Sequence, residues 1–417
     1  MAQLSADTFA FGGDLMRVEQ ALSLVTARIP PVAKVERVRL ADADGRVLGR
    51  SVVAPIDLPA FDNSAVDGYA VAYADLNPAA TTRLPVAGRI TAGQTAKCEG
   101  ARGTAVRIFT GAPMPVGTDT VFMQEDVHLL EGGLVELPAG LARGANCRAK
   151  GEDIVRGDEA VAEGRRLEPR EIALLAALGR SHLEVRRRPR VAVFSTGDEI
   201  CEPGTPLAPA AVYDSNRYAL TALLSRSGCE VTDLGILQDD RDAMQASLSA
   251  ASQAHDLVVT SGGVSAGEED HVRAAIAGCG SIVFWRLAIK PGRPVAMGVM
   301  NGTPLVGLPG NPVAVFVTFA YVVRPLIAAI SGATPAPIIP SPVISGFRYR
   351  KKAGRREYLR VSLERRGTQT IATKYPVDGA GVLTSLTRTD GLVELSEDRL
   401  DVEPGDSVPF IDYRQLI

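Results

Sequence analysis

Apolar and polar positions along this chain switch between two periods, and the switches divide it into regions. Leu15, Val18, Leu22 and Val25 recur at helical spacing, and Asp14 can cap the helix they imply, which would run to about Ile29. Short β-type runs follow, each broken by Gly or Pro. RLPVAGRI, TAVRIFTGA, DTVFMQEDV and GLVELPAG predict a small β-barrel-like unit between about 55 and 145. Residues 150–180 hold KGEDI and then LEPREIALLAALG, a helix that should stop at Gly179. EVRRRPR (184–190) breaks the composition and reads as a solvated basic linker rather than a nucleic-acid patch.

Beyond the break, strand and helix alternate. VAVFST (191–196), CEVTDLGIL (229–237) and DLVVTSGG (256–263) are strand-like, and 281–308 supplies further strands. NRYALTALLSRSG (216–228), DDRDAMQASLSAASQA (239–254) and EEDHVRAAIAG (268–278) are helical, and Asn311 with Pro312 opens another helix. This alternation predicts a parallel α/β sheet, with ligands at the C-terminal ends of its strands. PAPIIPSP (335–342) then opens a C-terminal region of short β runs that reads as a small antiparallel barrel or sandwich.

At 417 residues, two to four domains are expected, and 46% hydrophobic with 22% charged residues is the balance of a soluble globular protein. A formal charge of −3 offers no field for nucleic acid or an anionic membrane, so an anionic ligand needs local cations. Five scattered cysteines form no CxxC or zinc spacing and point to a reducing compartment. No secretory signal is evident at the N-terminus. VAVFVTFAYVVRPLIAAI (313–330) is apolar enough to suggest a membrane span, but Arg324 and Pro325 inside it favour a buried or interface helix.

Five segments carry the candidate chemistry, three of them at strand ends. SGGVSAGEED (261–270) offers Gly262, Gly263 and Gly267 for close backbone approach, hydroxyls from Ser261 and Ser265, and Asp270 as a Mg²⁺ ligand; a structural turn is the plainer reading. STGDEI (195–200) places Asp198 and Glu199 as site carboxylates or as helix-start caps. Arg286, Lys290 and Arg293 lie among stiffening prolines, as site cations or as a charged surface loop. LPGNP (308–312) sets a helix N-terminus before an anion, or is simply a good cap. FDNSAVDGYA (61–70) is either an Asx-turn or a metal or substrate contact. The Walker loop, GxGxxG after a strand and HExxH are all missing, which argues against the enzyme classes they mark.

With these motifs in order, the chain resembles the molybdopterin molybdenumtransferase family, and is similar to the E domain of gephyrin. FDNSAVDGYA, TGAPMPVGTD, QED, KGEDI, FSTGDEI, YDSNR, LGILQDD, TSGGVSAGEEDH, AIKPGRP and GLPGNPV carry the likeness from end to end. The resemblance implies a multidomain α/β fold. Residues 1–54 and 146–184 would form an elongated N-terminal domain and 55–145 a β-rich insertion. Residues 185–332 would form the molybdopterin and nucleotide domain, and 333–417 a β-barrel. It implies a cytoplasmic homodimer that uses Mg²⁺ to convert adenylylated molybdopterin (molybdopterin-AMP) and molybdate into molybdenum cofactor and AMP. Its partners would be the adenylyltransferase and the cofactor-receiving enzymes.

Carried over by position, Asp67, Asp153, Glu199, Asp239 and Lys290 match residues implicated in activity. Glu199 and Asp270 would hold the metal. Thr196, Gly197, Asp198, Ser261, Gly262, Gly263, Ser265 and Arg286 would bind pterin and nucleotide. Pro309, Asn311 and Pro312 form the proline turn of the oxyanion site, with Arg360 and Ser385 as candidates for a molybdate pocket. Two positions depart from the family: Arg286 stands where Lys is common, and Ala314 where Ser is usual. A non-catalytic scaffold and the preceding adenylylation step are the competing readings. The retained acids argue against the first and the terminal regions against the second.

Overall fold

The computed structural model describes residues 15–26, 30–32, 34–94, 100–237, 240–262 and 280–417. The proposed cap Asp14 and the helix expected at 268–278 lie outside these residues. Helix α1 (Val18–Thr26) buries Val18 and Ala21 in the largest core cluster. The segment Val35–Arg39 then pairs antiparallel with His182–Arg186. Leu48 from before the insertion packs with Leu167, Leu175 and Val185 from after it, so two separated stretches share one core.

The inserted sheet comprises β1 (Gly68–Val71), β2 (Thr82–Ile90), β3 (Ala105–Ile108), β4 (Thr120–Met123), β5 (His128–Leu130) and β6 (Leu134–Leu137), in the order β4-β1-β3-β2-β6-β5. Its end strands do not pair with each other among the described residues, so it is an open sheet rather than the barrel the pattern suggested. Alternation explains this: Tyr69 and Val71 join an apolar cluster on one face, while Ala70 joins a second cluster with Ile108 and Val121 on the other. Covering both faces satisfies the sheet without closure.

Helix α2 (Pro169–Ala177) begins where the periodicity predicted, and Gly179 ends it at φ +76°. Glu171 accepts from the backbone N–H of Glu168 at 3.0 Å and from Arg165 at 2.7 Å. Burial works against its charge, yet the Arg165 and backbone donors hold its carboxyl below the ordinary value. Its contribution to stability is therefore present above the unfolded-state value and lost as pH falls through the folded one. Glu171→Gln is expected to cost about 2 kcal/mol in urea unfolding at pH 7, with the difference from the native protein vanishing in acid.

EVRRRPR is not a solvated linker. Arg186 pairs with Glu163 at 2.6 Å. Arg187 grips Asp256 through both guanidinium ends at 3.0 and 2.9 Å, with both side chains largely buried. The sequence pattern could not reveal this because Asp256 lies far along the chain.

The central sheet contains β7 (Arg190–Thr196), β8 (Glu230–Leu237), β9 (Leu257–Ser261), β10 (Gly280–Arg286), β11 (Pro294–Met300) and β12 (Thr303–Leu308), in the order β8-β7-β9-β12-β11-β10. The first four in that order are parallel. β11 runs antiparallel to both β12 and β10, so the sheet is mixed rather than wholly parallel. Asn301 and Gly302, with φ of +50° and +86°, make the two-residue hairpin that reverses the chain. Helices α3 (Asn216–Arg226) and α4 (Arg241–Ala254) cover the parallel part. The apolar segment forms α5 (Pro312–Thr318), a π-helical turn (Phe319–Val323) and α6 (Arg324–Ser331). It is long and apolar enough to cross a membrane, but 72% of its most apolar window is buried in the fold, with Val317, Phe319 and Leu326 in the main core.

The C-terminal strands β13 (Ser341–Ser345), β14 (Arg356–Arg366), β15 (Gln369–Lys374), β16 (Gly391–Leu395) and β17 (Ser407–Asp412) pair in the order β14-β15-β13-β17-β16, and β16 returns to β14 to close a barrel. The two-residue strand Ile289–Lys290 pairs in parallel with β14 and ties barrel to central domain.

Candidate functional site

Three parallel strands end side by side, Ser195 opposite Ser261 and Ser261 opposite Leu308. STGDE, TSG (260–262) and LPGNP therefore meet at one edge, as the strand alternation predicted. Gly262 (φ +89°) donates its N–H to Leu308 O at 3.2 Å, and a Cβ there would lie 2.7 Å from Thr196 O. Ser261 is buried and donates its hydroxyl to Pro309 O at 3.2 Å. The hydroxyls of Ser195, Thr196 and Thr260 are buried at these strand ends with no hydrogen-bond partner among the described residues, a condition that calls for a ligand or water. Gly197 (φ +142°) lets the Glu199 carboxylate fold back over it. Asp198 and Glu199 are exposed, and neither carboxylate has a cationic partner among the described residues.

A cavity of about 300 Å³ adjoins this edge and opens between the central sheet and the barrel. Lys290, Arg293, Pro309, Asn311, Arg355, Glu357 and Arg360 are on its wall. Lys290 Nζ donates to Tyr349 Oη at 3.0 Å and to Glu357 Oε2 at 3.1 Å, and the Tyr349 hydroxyl donates to the same oxygen at 2.7 Å. Burial disfavours the ammonium, but Tyr349 and Glu357 outweigh it and raise the Lys290 pKa above its ordinary value. The cation persists through neutral pH and is lost only as pH rises through that raised value.

Arg360 is 4% exposed. It donates to Ser385 Oγ at 3.1 Å, Val377 O at 3.0 Å and Gly379 O at 3.2 Å. No carboxylate pairs with it among the described residues, and burial pulls its pKa down. A buried guanidinium held only by neutral oxygens is suited to receive an anion. Asn311 occupies the N-cap position of α5 but makes no side-chain cap bond. The Val313 N–H, one of the donors such a cap could take, goes to Ala380 O instead, and Asn311 lines the cavity. Pro312 holds the first helical position, and the methyl of Ala314 completes the wall.

The structure thus brings together Thr196, Gly197, Asp198, Glu199, Ser261, Gly262, Pro309 and Asn311, and gathers Lys290, Arg360 and Ser385 beside them. It does not bring Asp67 or Asp153 into the cavity wall. Asp67 accepts from the backbone N–H and hydroxyl of Thr110 at 2.8 and 3.0 Å, bonds that lower its pKa. Asp153 donates its N–H to Leu58 O in the same N-terminal region. Asp239, Gly263, Ser265 and Asp270 lie outside the described residues, as does the side chain of Arg286. Sequence reasoning assigned no role to Glu357, Tyr349 or Asn216. Two of them left a signal: Glu357 is an acid opening the apolar-rich run EYLRV, and Asn216 stands in the YDSNR motif.

Family models match the chain in three successive parts. The MoeA N-terminal region (domain I and II) matches residues 16–179, a probable molybdopterin binding domain 192–329, and the MoeA C-terminal region (domain IV) 342–413. The molybdopterin molybdenumtransferase of Haemophilus influenzae is 36% identical over 97% of this chain and 100% of its own length. Molybdopterin molybdenumtransferase 2 of Mycobacterium tuberculosis is 35% identical over 95% of this chain and all of its own. The crystal structure of a molybdopterin biosynthesis moeA protein from Pyrococcus horikoshii superposes with a TM-score of 0.82 at 29% identity, covering 96% of this chain and 100% of that one. With all three regions matched in order and identity sustained along the whole length, the chain belongs to the molybdopterin molybdenumtransferase family.

Proposed function

We propose that this chain transfers molybdate into adenylylated molybdopterin, releasing AMP and yielding molybdenum cofactor. The observation that carries the reading is the buried Arg360, with no carboxylate paired to it among the described residues, in a cavity with Lys290 that is joined to a glycine-lined strand edge through Pro309 and Asn311. Molybdate is a small dianion. Arg360, Ser385 and Lys290 would neutralise and orient it, while the wall of Pro309, Asn311 and Ala314 limits the water around it. The strand edge would hold the pterin and nucleotide phosphates against the Gly262 turn and the unpartnered hydroxyls.

No group of three metal-binding side chains exists among the described residues. Mg²⁺ needs only one or two protein carboxylates when phosphates and waters complete its shell, so Glu199, without a cationic partner among the described residues, fits as a holder, and Asp270 would be the second carboxylate. When bound, the ion would polarise the phosphoanhydride. Asp67 and Asp153 are remote from the cavity in one chain and would come from the second copy of a homodimer. In this reading the protein works in the cytoplasm, between the molybdopterin adenylyltransferase and the cofactor-receiving enzymes.

The test is purified protein with adenylylated molybdopterin, molybdate and Mg²⁺. AMP and cofactor are expected in equal amounts, and EDTA should stop both. Glu199→Ala and Asp270→Ala should each slow turnover about tenfold or more, the scale of a lost metal contact. Wild-type turnover in both variants would remove the metal assignment, and absence of insertion by the native protein would remove the function.

A further inference from the structure

The first turn of α3 joins the two halves of this site, and none of its residues has been given a role so far. Asn216 is half-buried there. Its Nδ2 donates to Ser261 Oγ at 2.9 Å and to Gly310 O at 2.6 Å. Ser261 closes the triangle by donating to Pro309 O. Gly310 O can only accept, and Ser261 Oγ has its proton committed to Pro309, so the amide nitrogen and not the amide oxygen must face both. One amide therefore ties the end of β9, where the phosphate-binding turn begins, to the proline turn that walls the oxyanion cavity.

The turn itself is anchored. Arg217 is buried and bonded through its guanidinium to Asp214 at 2.9 Å, and to Asp233 and Glu202. Asp214 also accepts the Arg217 N–H at 3.0 Å. Glu202 and Asp214 belong to the stretch that follows Glu199, so the same turn holds the third strand-end segment. Asn216 is thus fixed at its root by Arg217 and has both donors spent on the two halves.

We propose that Asn216 is a positioning residue for molybdate transfer, setting the distance between the nucleotide half and the oxyanion half. The proposal rests on the bipartite reading of the site. It does not require Asn216 to touch either substrate. Each half keeps its own contacts when the tie is cut, so ground-state binding should survive while the alignment of the dithiolene with the oxyanion is lost.

Asn216→Asp is the decisive variant, because it keeps the shape and replaces both donors by an acceptor facing Gly310 O. An acid in the first turn of a helix is electrostatically favoured, so α3 should fold. Asn216→Ala gives the same loss without the new repulsion. In the insertion assay, both are expected to lower kcat about tenfold, the scale of two lost hydrogen bonds. The KM for molybdate and for adenylylated molybdopterin should each stay within about threefold, and the melting temperature close to that of the native protein. Native turnover in Asn216→Asp would overturn the proposal. So would a loss confined to the KM of either substrate, which would make Asn216 a contact residue. If the native protein itself fails to insert molybdate, the reading of the site has failed, which these variants cannot mimic.

Discussion

Arg360→Ala should cut kcat/KM for molybdate about a thousandfold, the scale expected when one member of a buried charge pair is removed. Most of the loss should appear as a raised molybdate KM. A guanidinium that is 4% exposed has shed nearly all its water, and its partners are neutral oxygens of Ser385, Val377 and Gly379. Such a cation is stabilised most by an arriving anion, and a dianion gains most from it. Lys290 has one N–H donor left beside those given to Glu357 and Tyr349, so it can assist at the oxyanion but not replace the Arg360 fork. Arg360→Lys keeps charge but loses the fork, so it should recover part of the activity, with a molybdate KM about tenfold above the native value. Truncation also orphans two backbone carbonyls, at a cost of about 1–3 kcal/mol, so melting curves must accompany the kinetics. Affinity for the nucleotide half should be unchanged. A molybdate KM unaffected by Arg360→Ala in a folded protein would sink the oxyanion assignment.

What could be read from the sequence was what depends on local pattern. Gly179 and Gly228 stop their helices at positive φ, as the end of each apolar period implied. The three glycine and proline segments reach one edge because parallel strands must end on the same side. The reversal at Asn301–Gly302 was equally local, an Asn-Gly pair between two apolar runs, but it was read as part of a parallel alternation. Other features depend on partners distant in the chain. Arg187 looked like a linker residue because Asp256 was invisible to it. Lys290 was legible as a cation, but not the buried Glu357 and half-buried Tyr349 that hold it charged. Asn216 was visible only as part of the YDSNR motif, with no role attached, since its importance lies entirely in Ser261 and Gly310 converging on it. Asp67 and Asp153 were legible as acids in unusual motifs, and only the fold reveals their separation from the cavity.

Gly262→Ala should lower insertion activity about a hundredfold while leaving the protein folded. At φ +89° an L side chain is strained, at a cost on the order of 1 kcal/mol. Strain alone would not silence a site. The added Cβ would also lie 2.7 Å from Thr196 O, and that atom is backbone at the end of β7, which cannot swing aside as a side chain would. Either β7 or the start of the glycine loop must move. Both carry the hydroxyls and turn that would meet the phosphates, and a displacement approaching 1 Å at such a site costs about a hundredfold in rate. Gly302→Ala separates the two effects. It has almost the same φ, +86°, but nothing lies within 4 Å of its Cβ, and it sits in the hairpin at the far end of β12. It should lose similar stability to backbone strain and keep native turnover. Equal activity in the two variants would mean that close packing at Gly262 is irrelevant to catalysis, and the strand edge would lose its place as the nucleotide half of the site.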